Sequence, residues 1–374
     1  MSDVKKPPFR ADHVGSLLRP PALLDARAKQ QAGALTVAAL REVEDRSIRD
    51  AVALQESIGL RGITDGEYRR TYFHIDFLQQ IEGIAVRGGI ATKFHRHDKE
   101  IDFAPPRLEV VGKLRRSHPI ASADFDFLKS VTKQIPKLCI PSPTMVHFRG
   151  GRGAIDRAAY PDMEEFFADL ACVYREEIAD LAARGCTYLQ LDDTNLAYLC
   201  DEKLRQGARD RGDDPDQLPH IYARLINDAI RDRPSSMTVC IHLCRGNFRS
   251  AWVAEGGYDP VAEPLFSEMH VDGYFLEYDT PRAGDFSPLR YLPKAKSLVL
   301  GLVTTKTPEL ESVDDLKRRI DSAARYVPME RLAISPQCGF SSTAHGNDIN
   351  VETEVAKLRR VVEVAREVWG ADAL

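Results

Sequence analysis

Short apolar runs alternate with longer stretches whose apolar residues recur every three or four positions. The runs are 60–67 (LRGITDGE), 108–114 (LEVVGKL), 138–147 (LCIPSPTMVH), 186–193 (CTYLQLDD), 237–244 (MTVCIHLC), 273–279 (GYFLEYD), 298–304 (LVLGLVT) and 332–338 (LAISPQC). Their β-branched and aromatic content predicts strands buried on both faces. Helical spacing covers 36–58, 163–183, 218–232, 313–326 and 351–369, with Gly185 as a stop signal after the second. Eight strands alternating with helices predict an α/β fold, a TIM (β/α)8 barrel. Periodicity alone does not close a barrel, so an open doubly wound sheet is the alternative. Residues 81–107 match neither period. They hold Gly83, Gly88, Gly89, the basic His95-Arg96-His97 and Pro105-Pro106. They read as a hairpin insertion after the first strand, either a solvated excursion or a lid. The reading is one barrel domain over residues 1–374.

Composition narrows the class. The chain has 374 residues, 43% hydrophobic and 29% charged, with net charge −5. That suits a globular protein and gives no electrostatic case for nucleic acid or an anionic membrane. No stretch reaches the roughly 18 apolar residues of a membrane span. The first ten residues, MSDVKKPPFR, lack the apolar core of a secretory signal. The seven cysteines are odd in number and sparse, which argues against a disulfide framework. The expectation is a cytoplasmic protein with reduced thiols, some free to bind metal. Self-association is left open.

Three pieces carry metal-ligand types: His242-Leu243-Cys244, Glu277 and Cys338. On an extended strand, positions i and i+2 face one way, so His242 and Cys244 can reach one ion. A cysteine on a buried strand is more often a small core residue. Glu277, however, lies in a run so apolar that its carboxylate needs a partner. All three pieces end strands, and those ends converge on one face of a parallel barrel. One imidazole, two thiolates and one carboxylate make a tetrahedral zinc set, and ligands from separate strands mark a catalytic rather than a structural site. Three negative charges against two on zinc favour holding a thiol as thiolate over making hydroxide. That points to alkyl transfer to sulfur.

These pieces, with Gln337-Cys338-Gly339, resemble the zinc ligands in the C-terminal barrel of cobalamin-independent methionine synthase. His13-Val14-Gly15-Ser16-Leu17 is similar to the family's Ile-Gly-Ser-Phe, Asp65-Gly66-Glu67 to its His-Gly-Glu, and Gln190-Leu191-Asp192-Asp193 to its Gln-Ile-Asp-Glu. The order is kept from residue 13 to 339. The likeness is closest to short single-barrel members, since the full synthase is about twice as long. It implies a zinc-dependent S-methyltransferase converting homocysteine to methionine, with methylfolate or a methylcorrinoid as donor. It implies that Gly15 and Ser16 bind the substrate carboxylate, that Glu67 and Asp192 contact the amino group, and that His242, Cys244, Glu277 and Cys338 hold zinc. Where the family has a catalytic His in His-Ser-Pro, this chain has Lys306 in Thr305-Lys306-Thr307-Pro308. Lys306 and Asp192 are the catalytic candidates, with His345 or His147 as substitutes for the missing imidazole. Asp193 reads as a cap, Arg19 as a partner for an anionic group, and Tyr278 and Asp279 as groups that orient Glu277. A related zinc family opens epoxides with coenzyme M and is the alternative reading. A third is a structural ion in a subunit that binds a corrinoid protein.

Overall fold

The computed structural model describes residues 6–89, 91–96 and 99–371; His97 lies outside them. The strands are β1 (Gly62–Ile63), β2 (Glu82–Arg87), β3 (Thr92–His95), β4 (Glu100–Phe103), β5 (Arg107–Arg115), β6 (Ile135–Pro141), β7 (Tyr188–Asp193), β8 (Thr238–Leu243), β9 (Gly273–Glu277), β10 (Ser297–Val303) and β11 (Leu332–Pro336). Seven of them form one parallel sheet in the order β1-β6-β7-β8-β9-β10-β11. The helices Val37–Ile58, Met163–Ala183, Leu218–Ile230, Val313–Ala323 and Val351–Trp369 fall where the apolar spacing places them.

The sheet has apolar residues on both faces, for two different reasons. One face packs against the helices. The other carries a small cluster of Phe9, Val14, Tyr188, Cys240, Phe275, Val299 and Ala333. Two residues further along β7, β8 and β9, on that same inner face, stand Gln190, His242 and Glu277. The inner face is therefore apolar at one end of the sheet and polar at the other.

The run 108–114 departs from expectation. It belongs to β5, which pairs antiparallel with β2 and lies outside the parallel sheet. Along it Leu108, Val110 and Leu114 are buried, while Val111 and Glu109 are not. That is the alternation of a strand with one wet face. The parallel sheet thus has seven strands, not eight. A second antiparallel pair, β3 with β4, precedes β5. It is pinned by reciprocal backbone bonds between His95 and Trp252, 2.6 and 2.9 Å.

The N-terminal segment runs along both edges of the sheet. Ala11 bridges Ile334 in parallel, and Ile334 N–H donates to Arg10 O at 2.9 Å. Further on, Thr64 Oγ1 donates to Gly15 O (2.6 Å) and Leu17 N–H to Gly66 O (3.1 Å), just past β1. The segment is anchored from inside by Lys137, which is fully buried. Its ammonium meets Asp12 Oδ1 at 3.0 Å and lies over the Phe275 ring at 4.1 Å. Among the described residues no helix is long and apolar enough to cross a membrane.

Candidate active site

The polar end of the inner face gathers most of the expected residues. β8 delivers His242 and, one residue past its end, Cys244. β11 delivers Cys338, two residues past Pro336. The sulfurs of Cys244 and Cys338 are 3.2 Å apart. Donor atoms of His242, Cys244 and Cys338 all lie within 4.8 Å of one another. Neither nitrogen of the buried His242 ring makes a well-formed hydrogen bond, and its one polar interaction is with the Cys338 sulfur. Leaving them so costs free energy unless something else binds there. The Cys244 thiol donates toward Cys338, and with the His242 and Lys306 charges this draws the Cys338 thiol well below its usual pKa. Cys244, sharing the proton, is pushed up. Glycine is required behind Cys338, because a Cβ on Gly339 would stand 1.9 Å from Ser16 Oγ.

Glu277 ends β9 beside this trio but is not drawn into it. Its carboxylate accepts Arg245 N–H at 3.1 Å and pairs with Arg282. Burial would raise its pKa, but the Arg282 charge, with Lys306 and Arg245 behind it, holds it below the usual carboxylate range. Arg282 also reaches Asp279, at 3.1 Å, and stacks over Trp252. Sequence reasoning missed Arg282. The signal was available: a carboxylate in so apolar a run needs a cation, and one follows five residues later. The Tyr278 hydroxyl is buried without a partner, so it does not orient Glu277 by a hydrogen bond.

Glu67 and Asp192 form a second group. Their carboxylates and the Cys139 sulfur lie within 4.8 Å of one another. Glu67 sits in a turn with φ 58° and is held there by its N–H to Asp65 Oδ1, 2.9 Å. Its Oε2 has no hydrogen-bond partner, and the Arg70 guanidinium stands 3.8 Å away. Burial pushes Glu67 up to about 7, opposed by Arg70 and reinforced by the Asp192 charge. Burial likewise pushes Asp192 up to about 6, opposed by His242 and by the Gln190 amide. Asp193 borders the same cavity, but its carboxylate is taken up by Leu196 N–H, at 2.8 Å as in a cap, and by the Thr144 hydroxyl.

Gly15 and Ser16 bring the N-terminal segment against this group. A Cβ at Gly15, where φ is 139°, would lie 2.7 Å from Cys139 Sγ. Ser16 Oγ accepts Ser341 N–H at 3.3 Å. Arg19, expected to meet an anion, is buried and spends its guanidinium on the carbonyls of Ser341, Thr343, Glu67 and Arg70. Lys306 donates to Gly246 O and Asn247 Oδ1, at 3.2 and 3.1 Å. His147 is bonded to Tyr222 OH at 2.9 Å, and His345 meets Thr343 Oγ1 at 3.2 Å. None of Lys306, His147 or His345 is among the residues that line the cavity.

That cavity holds about 680 Å³ and is lined by Ser16, Glu67, Asp192, His242, Cys244 and Cys338 on its polar side. Phe94 and Phe103, from β3 and β4, and Phe248 form an aromatic wall opposite. The arrangement offers a trio of donors of the kind that can hold a metal ion, a carboxylate pair and an aromatic wall around one space.

The family described as cobalamin-independent synthase, catalytic domain, matches residues 9–367. The uncharacterised protein YxjH of Bacillus subtilis is 46% identical over 369 residues, covering 98% of this chain and 96% of its own. The methionine synthase of Pyrococcus abyssi is 24% identical, covering 94% and 93%. A solved structure from Listeria monocytogenes, provisionally assigned as a vitamin-B12-independent methionine synthase, superposes with TM-score 0.75 at 36% identity, covering 98% and 99%. The chain therefore belongs to the cobalamin-independent synthase catalytic-domain family and is an enzyme of the methionine-synthase type of methyltransferase.

Proposed function

We propose that the enzyme methylates the thiol of homocysteine to give methionine, with zinc held by His242, Cys244 and Cys338 and with Glu277, now paired to Arg282, as the fourth candidate ligand. The observation that carries this is the gathering of those three donors, with neither imidazole nitrogen in a well-formed hydrogen bond, on the wall of the cavity that also holds Glu67 and Asp192. When bound, zinc would supply positive charge that keeps the incoming sulfur ionised. The chain's own groups do the rest. Glu67 and Asp192 are two buried carboxylates close together, with Arg70 at 3.8 Å from Glu67, and their combined charge suits the substrate ammonium. Gly15 and Ser16 offer N–H groups and a hydroxyl to its carboxylate. Together they fix the direction from which the sulfur meets the methyl group, and the aromatic wall excludes water. Lys306 acts from behind the cavity, where its positive charge favours the ionised form of both thiols, against the net rise at Cys244; in this reading it steadies the thiolates and does not relay a proton. The pair of carboxylates favours an amino-acid thiol over the sulfonate of coenzyme M. For the architecture, we read the seven strands plus the N-terminal segment as a closed TIM-type barrel. Residues 82–115 are then an insertion within one domain.

The test couples metal analysis to thiol methylation over a panel of donors, methylfolate and methylcobalamin first. His242→Ala and Cys338→Ala are each expected to lose zinc and activity together while keeping the wild-type circular dichroism. Full activity in a zinc-free preparation would end the reading.

A further inference from the structure

Arg149 stands where three cavities meet. It follows the turn Pro143–Val146 after β6. Its side chain lines the catalytic cavity, a second of about 510 Å³ and a third of about 1690 Å³. Other arginines around the site are spent: Arg70 on Glu67 and Cys139 O, Arg245 on Tyr258 and Gly256 O, Arg282 on Glu277 and Asp279. Arg149 is half-buried and forms no ion pair with any carboxylate among the described residues. Its neighbours are the Tyr198 hydroxyl, with which it shares a hydrogen bond, and the His74 imidazole.

His74 adds an independent observation. It is only 4% exposed, its Nδ1 has no hydrogen-bond partner, and it lines the first two cavities. An unpaired guanidinium and a buried imidazole with an unmet nitrogen border the same void. Each lacks a partner that an anionic oxygen would supply. The third cavity extends this character. Lys203 there has no ion pair among the described residues, whereas the nearby acids are engaged: Glu100 by Lys93, Asp201 as a helix cap, Glu255 by Trp252 Nε1.

We propose that Arg149 and His74 form an anion subsite at the threshold of the catalytic cavity, which takes the carboxylate or phosphate arm of the methyl donor. The donor's flat, apolar body would lie against Phe94, Phe103 and Phe248, and its arm would leave past Arg149 toward the large cleft. The assignment to the donor rests on the methyl-transfer reading above, in which the amino-acid carboxylate already has a place at Gly15 and Ser16.

The test uses the zinc-loaded full chain and two simple probes, glutarate and inorganic phosphate, titrated by calorimetry. One or the other is expected to bind, to weaken by roughly tenfold or more in Arg149→Met, and to recover in part in Arg149→Lys. L-methionine binding is expected to stay within twofold in all three proteins, which also reports that the site is intact. Stronger binding of glutarate assigns a carboxylate arm, and stronger binding of phosphate a phosphate arm. Failure of both probes to bind the wild type, equal binding to Arg149→Met, or a parallel loss of L-methionine affinity would each overturn the subsite. Absence of methyl transfer from every donor, with anion binding still dependent on Arg149, would instead sink the methyl-transfer reading and the donor assignment while leaving the anion subsite.

Discussion

Glu67→Gln is expected to make the protein more stable and less able to bind its amino acid. The wild-type carboxyl is moved from 4.5 to about 7 by burial, with Asp192 adding to the shift. For a raised carboxyl, the folded state holds its proton longer than the unfolded chain does. Stability is therefore highest below about 4.5 and is lost as pH rises through about 7. The shift corresponds to roughly 3 kcal/mol above pH 8. Glutamine keeps the shape and removes the charge, so most of that cost should vanish. Arg70 loses one neighbour but keeps Cys139 O and the charges of Asp65 and Asp192, which trims the expected gain to about 1–2 kcal/mol. Urea unfolding at pH 8 and pH 5 reads it: the variant should be the more stable at pH 8, with the gap narrowing toward pH 5. L-methionine, which has no thiol to titrate, reads binding. Losing one charge-assisted bond to the ammonium should weaken it by about 1.5–3 kcal/mol. In the wild type its affinity should fall by about tenfold per pH unit below 7, and more steeply below 6 as Asp192 also protonates. The variant should lose the upper step. A variant less stable than wild type at pH 8, or one with an unchanged methionine pH profile, would refute the reasoning.

Other perturbations probe different parts. Lys137→Met strands Asp12 in the interior and should cost about 3–5 kcal/mol in urea unfolding; adding Asp12→Asn should recover most of it. Gly15→Ala drives a methyl to 2.7 Å from Cys139 Sγ at a φ of 139°, and should raise KM for the thiol substrate at least tenfold and cost about 1–3 kcal/mol.

The sequence made the sheet legible where both faces of a strand are buried, as in CTYLQLDD and GYFLEYD. It misled at 108–114, where LEVVGKL hides an alternation that only its own Glu109 and Lys113 disclose. The N-terminal residues 10–13 gave no strand signal, because a single bridge and side-chain anchors hold them rather than a ladder. Motif spacing brought His242, Cys244 and Cys338 to one place, and Glu67 to Asp192, since strand ends in a parallel sheet converge. Arg282, five residues after Glu277, was a readable partner for that carboxylate, but nothing in the pattern revealed that Arg149 is left without a carboxylate among the described residues. The setting of Arg149 depends on where loops return, which no local pattern encodes.

The strap formed by residues 10–17 ties together parts of the fold that are far apart in the chain. Its partner Ile334 is more than three hundred residues downstream, and its other contacts flank β1. Seating the strap beside Ile334 therefore fixes a contact of very high sequence separation, with a correspondingly large loop-closure entropy. Because the same strap sets Gly15 against Cys139 and Glu67 and Ser16 against Ser341, the shape of that corner of the cavity depends on a contact that spans most of the sequence.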